Sequence, residues 1–212
     1  MVATQRRTQQ ERTAETREAL LDATIECLAE VGYAGTTTRL VAERAGVSRG
    51  AQTHHYPTKT ELVTAAIGHL FDRQAAHFRE AFTAQPPGER TLDHAVDILW
   101  GIVSGPAYAA VLEVTVAGRT DPELRVVVHA MATVLESTVL DIQREFFPEV
   151  DDDGLARTIV DLAFTLMQGA AISTYGGYGD PERTIRLVRG VAALVTPDTI
   201  SILKGAIDAI DR

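Results

Sequence analysis

The chain has 212 residues, 45% hydrophobic and 23% charged, an ordinary globular composition sufficient for one large core or two modest ones. No run of eighteen or more uniformly apolar residues occurs, and the basic N-terminus has no apolar segment behind it, so neither a membrane span nor a signal peptide is expected. The formal net charge of −9 argues against a nucleic-acid partner only until its distribution is read. Residues 1–60 hold eight Arg and Lys against seven Asp and Glu; residues 61–212 hold twelve against twenty-two. The acidity belongs to the C-terminal part, and the first sixty residues are the segment that phosphate does not repel.

In chain order, helical periodicity recurs throughout, and no alternating apolar pattern is bounded by hairpin turns. A first helix is expected over 12–32, with Leu20, Leu21, Thr24, Leu28 and Val31 as its apolar stripe and Gly32 as its stop. The single cysteine, Cys27, falls at core spacing in this helix; with no second cysteine to pair with, it fits a reducing, cytoplasmic setting. A short helix over 37–45, a turn at Gly46-Val47-Ser48 and another short helix over 49–55 follow. Pro57 ends that unit. Thr58-Lys59-Thr60-Glu61 then has the capping-box pattern and opens a helix to Phe82, with Leu62, Ala66, Leu70, His77 and Ala81 on one side.

Gln85-Pro86-Pro87-Gly88 is the clearest break. Beyond it helices are expected at 89–104, 107–118, 122–146, 152–176, 182–195 and 198–211. Asp121-Pro122, Asp180-Pro181 and Thr196-Pro197 each set a capping oxygen before a proline whose missing N–H costs nothing in a first turn.

The stretch from Tyr33 to Lys59 carries the chemistry. Leu40, Val41 and Ala45 supply the buried side of the first short helix, Gly46 can adopt the left-handed conformation of a sharp turn, and Val47 fills the angle between helices. Ser48 can cap the second short helix, whose start is expected to present Arg49, Gly50 and Gln52 outward, toward the base edges of a major groove. Arginine suits guanine and glutamine suits adenine there. Thr37, Thr38, Thr53 and Lys59 suit phosphate, and Arg6, Arg7 and Arg12 suit an arm along the backbone or minor groove.

These residues resemble the TetR family signature. An alanine-glycine-valine-serine turn (Ala45-Gly46-Val47-Ser48) precedes a recognition helix (Arg49 to His55), an aromatic-proline step (Tyr56-Pro57) and a lysine (Lys59), with Glu61-Leu62 opening the next helix. The likeness covers residues 12–70. Where the family usually carries a tyrosine inside the recognition helix this chain has Thr53, and His54-His55 stand where a polar-aromatic pair is common.

The resemblance implies an all-α protein: an N-terminal three-helix DNA-binding domain over 1–60, and a larger helical ligand-sensing and dimerisation domain over 61–212. The DNA-contacting set it implies is Thr37, Thr38, Ser48, Arg49, Gly50, Gln52, Thr53, His54, Tyr56 and Lys59. The partners it implies are double-stranded operator DNA, a second copy of the chain and a small-molecule effector, with no cofactor and no membrane.

Independently, Ile200, Leu203, Ile207 and Ile210 form an apolar seam, as do Leu155, Ile159, Leu162, Leu166 and Ala170 beside small Gly169 and Ala171; helices with such seams can pair in a four-helix interface. Aromatic and isolated polar residues inside apolar helices make Trp100, Tyr108, Glu113, Phe164, Met167, Gln168 and Tyr175 the candidate effector contacts, and their lining suits a hydrophobic or amphipathic molecule.

The function expected is therefore a ligand-responsive transcription regulator, a repressor released from its operator by its effector. The direction of regulation depends on where the operator lies, which the chain does not encode. No nucleophile elbow, phosphate loop, dinucleotide fingerprint or zinc-protease motif is present, so no enzyme is expected. His54 and His55 diverge by about 100° on a helix and share no metal site, and Asp151-Asp152-Asp153 reads as a helix start. The rival reading is a helical small-molecule-binding protein whose DNA recognition is lost or weakened, with Thr53 as the trace.

Overall fold

The computed structural model describes residues 9–147 and 153–194, together with 199, 202 and 205. The described residues contain no strand, and their helices are α1 (Gln9–Gly35), α2 (Thr38–Ala45), α3 (Arg49–His55), α4 (Lys59–Thr83), α5 (Leu92–Val103), α6 (Pro106–Gly118), α7 (Pro122–Phe146), α8 (Asp153–Tyr175) and α9 (Pro181–Ala193), with one 3-10 turn at Pro87–Glu89. The fold is all-α, as expected. The seam of Ile200, Leu203, Ile207 and Ile210, the side chains of Leu155 and Ile159, and Arg6 and Arg7 of the proposed arm lie outside the described residues.

Among the described residues the caps written in the sequence form; Thr196-Pro197 lies outside them. Thr58 and Glu61 complete their capping box, each side chain accepting the other's backbone N–H at 3.1 Å. Asp121 accepts the N–H groups of Glu123 and Leu124, and Asp180 accepts that of Arg183. α1 departs from expectation at its end. Gly32 breaks the helix at φ 69°, but one further turn runs on to Gly35 before the chain leaves it. Val31, read as part of the apolar stripe, is 46% exposed, because the stripe closes one turn earlier at Leu28.

The chain divides into two compact units, and it passes between them three times. The first holds the described residues through Asp72 together with Pro106–Ala132. The second holds Arg73–Gly105 and the described residues from Thr133 onward. A boundary at 60/61 thus falls just inside the start of α4, within the first unit. In that unit α1 packs chiefly against α6 and α2, and α2 against α3. Its buried residues include Leu20, Cys27, Leu28, Val41, Leu62, Val63, Ala66, Ile67, Ala110 and Val114.

In the second unit α9 packs against α5 and α8, and Arg189 pairs with Asp97. Phe78, Phe82, Ala95 and Phe147 form a core cluster flanked by Leu92, Ile98, Leu99, Ile102, Ile142 and Phe146. The buried face of α4 runs through Phe71, Phe78 and Phe82; His77, expected on that face, is exposed, since it lies about 100° around the helix from Phe78.

Among the described helices α7 is long and apolar enough to cross a bilayer, with a mean hydropathy of 1.3 over its best window. Leu124, Val127 and Met131 of that helix are buried within the protein, while most of its apolar window is exposed.

Phe82 is fully buried, with ring centroids of Phe146, Phe147 and Phe78 at 4.8, 5.3 and 5.7 Å. Phe82→Ala is expected to cost about 3–5 kcal/mol in urea unfolding, the range for truncating a large buried aromatic.

Candidate nucleic-acid interface

α2 and α3 are short, and each is held by caps rather than by length. Thr37, extended at φ −124°, ψ 152°, accepts the Leu40 N–H and starts α2. At the other end Gly46 adopts φ 67°, ψ 25°, its N–H returning to Glu43 and the Val47 N–H to Ala42. That paired return is a Schellman ending, and it needs a residue tolerant of left-handed backbone. Ser48 then accepts the Ala51 N–H at 3.1 Å and opens α3. The Thr37 and Ser48 hydroxyls accept in these caps, so each keeps its own hydrogen for a phosphate oxygen.

α3 has two faces. Arg49, Gly50, Thr53 and His54 are exposed. At about 100° per residue they occupy one arc roughly 140° wide. Gln52 falls about 130° from the middle of that arc, and here the structure corrects the sequence reading. Its side chain is 2% exposed and its amide donates to the Tyr56 carbonyl at 2.7 Å, so it ends α3 rather than reading a base.

Tyr56 is also turned inward. It is 7% exposed and its hydroxyl accepts from Arg17 Nε at 3.4 Å, reached from α1. Lys59, expected on phosphate, donates to the Tyr33 carbonyl and lies 3.8 Å from the centre of the Tyr33 ring. Burial pushes the Lys59 amine below the usual lysine range, with the Asp121 charge opposing. Thr38 is half-buried and Thr37 exposed.

His54 and His55 meet edge to face at 5.5 Å, and burial, the His54 ring and Arg17 hold the His55 imidazole below its ordinary pKa. Arg12, read as part of the arm, is exposed on the first turns of α1. Arg44 is committed to Glu30 and Glu26 of α1. Arg39, which the sequence reading passed over, is 79% exposed on α2 and has only a loose 3.9 Å pairing with Glu43. Its signal was available: an arginine one position into a capped helix beside the turn.

The candidate effector residues fall in both units. Tyr108 and Glu113 belong to the first unit; Trp100, Phe164, Met167, Gln168 and Tyr175 belong to the second. Met167 is fully buried, and Trp100, Phe164 and Gln168 are half-buried. Tyr175 and Glu113 are engaged by backbone groups of the fold. The Tyr175 hydroxyl lies 2.8 and 3.1 Å from the carbonyls of Gly105 and Val103, closing the end of α5. Glu113 is exposed and accepts the Tyr33 N–H at 3.3 Å. A cleft of about 270 Å³ between α8 and α9 is lined by other residues, among them Thr165, Leu166, Ser173, Asp180 and Thr184.

The comparisons with known proteins bear on this geometry. A family profile described as "Bacterial regulatory proteins, tetR family" matches residues 20–66, the stretch that holds the capped turn. An HTH-type transcriptional regulator of Mycobacterium tuberculosis H37Rv is 32% identical over 195 residues, spanning 90% of this chain and 97% of that protein. The chain belongs to the TetR family.

The transcriptional repressor AcnR of Corynebacterium diphtheriae is 31% identical to this TetR-family chain over 180 residues, covering 81% of it and 88% of the relative. A crystal structure described as a TetR-family regulator from Rhodococcus sp. superposes with a TM-score of 0.70 at 22% identity, covering 86% and 98% of the two chains, which shows the shared fold. This TetR-family member is thus a helix-turn-helix DNA-binding transcription regulator and not an enzyme.

In this TetR-family turn a Cβ on Gly46 would meet no atom within 4 Å, so the backbone alone requires glycine. Gly46→Ala is expected to cost about 1–2 kcal/mol in urea unfolding, the strain of a left-handed alanine. A change within a few tenths would contradict that account.

Proposed function

We propose that the chain is a ligand-responsive repressor that binds operator DNA as a homodimer and leaves it when a small hydrophobic or amphipathic effector binds. The observation that carries the reading is the exposed arc of α3. Arg49, exposed at the start of the helix, suits a guanine edge, and the exposed Thr53 and His54 suit neighbouring bases or phosphates. Thr37 and Ser48, with hydroxyl hydrogens to spare at two adjacent helix starts, flank it and suit phosphates; Thr38 and Lys59 are secondary, being half-buried.

Gly50 supports the same reading from the side of stability. A Cβ there would approach nothing nearer than Ser48 Oγ at 3.9 Å, and its φ is not positive, so the fold has no use for glycine at this position. Glycine inside a helix costs up to about 1 kcal/mol against alanine. A surface approaching α3 closely, such as the floor and wall of a major groove, accounts for it.

Homodimerisation is supported by apolar residues left exposed on two helices of the second unit: Leu162 at 58% and Leu166 at 40% on α8, Leu187 at 67% and Val191 at 54% on α9. Side chains of this size in a row mark a surface that another chain covers. Dimerisation also supplies the second recognition helix that a two-fold operator needs. Repression is supported by the name of the AcnR relative, and an apolar effector by the apolar character of Trp100, Phe164 and Met167, all in the second unit. The effector must bind the DNA-incompetent arrangement more tightly, because equal affinity for both would shift nothing.

The test is fluorescence anisotropy on DNA upstream of the gene, or on sequences selected from random DNA, at several salt concentrations. Binding that survives excess random competitor and falls linearly in log salt is expected; affinity equal on random DNA would favour the ligand-binding protein without an operator. In the same assay Gly50→Ala should melt at the wild-type temperature or above it and bind the operator about ten-fold more weakly, a loss of roughly 1.4 kcal/mol. Unchanged affinity would remove the close-approach argument.

A further inference from the structure

Threonines of the longer helices turn their hydroxyls back onto their own backbone. Thr16, Thr24, Thr64, Thr83, Thr115 and Thr165 each donate to the carbonyl four residues earlier, at 2.7 or 2.8 Å. That bond is the ordinary local partner of a threonine inside a helix. Thr53 has the same opportunity, with the Arg49 carbonyl four residues before it in α3, and does not take it. Among the described residues its hydroxyl has no partner. Thr53 is exposed, so its hydroxyl and its methyl are both left to whatever meets α3 from outside.

Its place on the exposed arc is equally particular. With Arg49 as zero, Thr53 lies at about 40°, Gly50 at about 100° and His54 at about 140° around the helix. The two short residues thus occupy the middle of the arc, and the two long polar ones its flanks. Gly50 and Thr53 are about 4.5 Å apart along the axis, so together they form one low strip. A helix laid in a major groove turns the middle of its outer face to the floor, where the base edges lie, and its flanks toward the walls, where the phosphates run. Arg49 is long enough to reach a base edge from the flank. Thr53, in the middle of a groove about 12 Å wide, meets the floor and not a wall. The apolar group which that floor offers is the C5-methyl of thymine.

We propose that Thr53 is a specificity-determining residue, its methyl packing on the C5-methyl of a thymine in each half-site. This rests on the operator reading above and deepens it, because it names the base selected beside the guanine suited to Arg49. Arg49 and Thr53 are one turn apart, about 6 Å along the axis, against about 3.4 Å per base pair. The thymine therefore falls within about two base pairs of that guanine.

The experiment uses the full chain and an operator that the wild type selects from random DNA. Each thymine of one half-site is replaced in turn by deoxyuridine, which lacks only the C5-methyl, and affinity is read by fluorescence anisotropy. At one position the wild type should lose about four-fold, the worth of one buried methyl. Thr53→Ser keeps the hydroxyl and drops the methyl. It should lose a similar factor on the thymine operator and nothing more on the deoxyuridine one. Thr53→Val keeps the methyl and drops the hydroxyl, and should stay sensitive to deoxyuridine at that position. Both variants should melt within about two degrees of wild type, since the side chain is exposed.

A deoxyuridine loss that persists in Thr53→Ser, or a half-site with no position sensitive to the methyl, would overturn the proposal. So would a Thr53→Val variant weakened equally on operator and random DNA while Thr53→Ser binds as the wild type does, the pattern of a hydroxyl on phosphate. A wild-type chain that selects no sequence would instead overturn the operator reading itself.

Discussion

Gly46 reverses the chain at φ 67°, ψ 25°, and because its N–H and that of Val47 return to the last turn of α2, the direction in which α3 leaves is fixed within two residues. Much else follows from that direction. Gln52 and Tyr56 fall on the inner side of α3, where one ends the helix and the other meets Arg17 of α1. Arg49, Gly50, Thr53 and His54 fall on the outer side. A bulkier backbone at 46 would strain the one joint that decides which side chains reach a groove.

The inner bonds explain how so short a helix holds its place. Seven residues have little helical stability of their own in water. α3 is instead fastened at its start by Ser48 and at its end by Gln52 and Tyr56, so the exposed arc needs to contribute nothing to folding. That freedom suits the recognition role proposed for them. It also explains how Thr53 can replace the family's usual tyrosine without disturbing the helix: it is exposed and makes no contact that the fold requires.

The sequence was legible where the signal is local. Thr58 with Glu61, Ser48 before Arg49, Asp180 before Pro181 and Gly46 after Ala45 are all short-range pairings, and each forms as read. Gln52 and Tyr56 turn inward because of partners in the native packing, which their spacing alone does not reveal. A polar residue near the start of a short helix looks the same in sequence whether it faces DNA or its own C-terminus. Glu113 interrupts an apolar helix, and its partner Tyr33 lies 80 residues away, beyond any local rule. Val31 and His77 erred by a single helical position at the end of a stripe, where burial changes over one turn.

The central claim is that two copies of this chain place their α3 helices on one operator. Hydroxyl-radical footprinting of a selected operator, with sedimentation of the free protein and of the complex, tests it most directly. The account predicts a dimer and two inverted half-sites with centres one helical turn of about 10–10.5 base pairs apart, or a multiple of it. It also predicts that protection of both weakens together in Arg49→Ala. A monomer protecting a single site, or protection indifferent to Arg49, would contradict it.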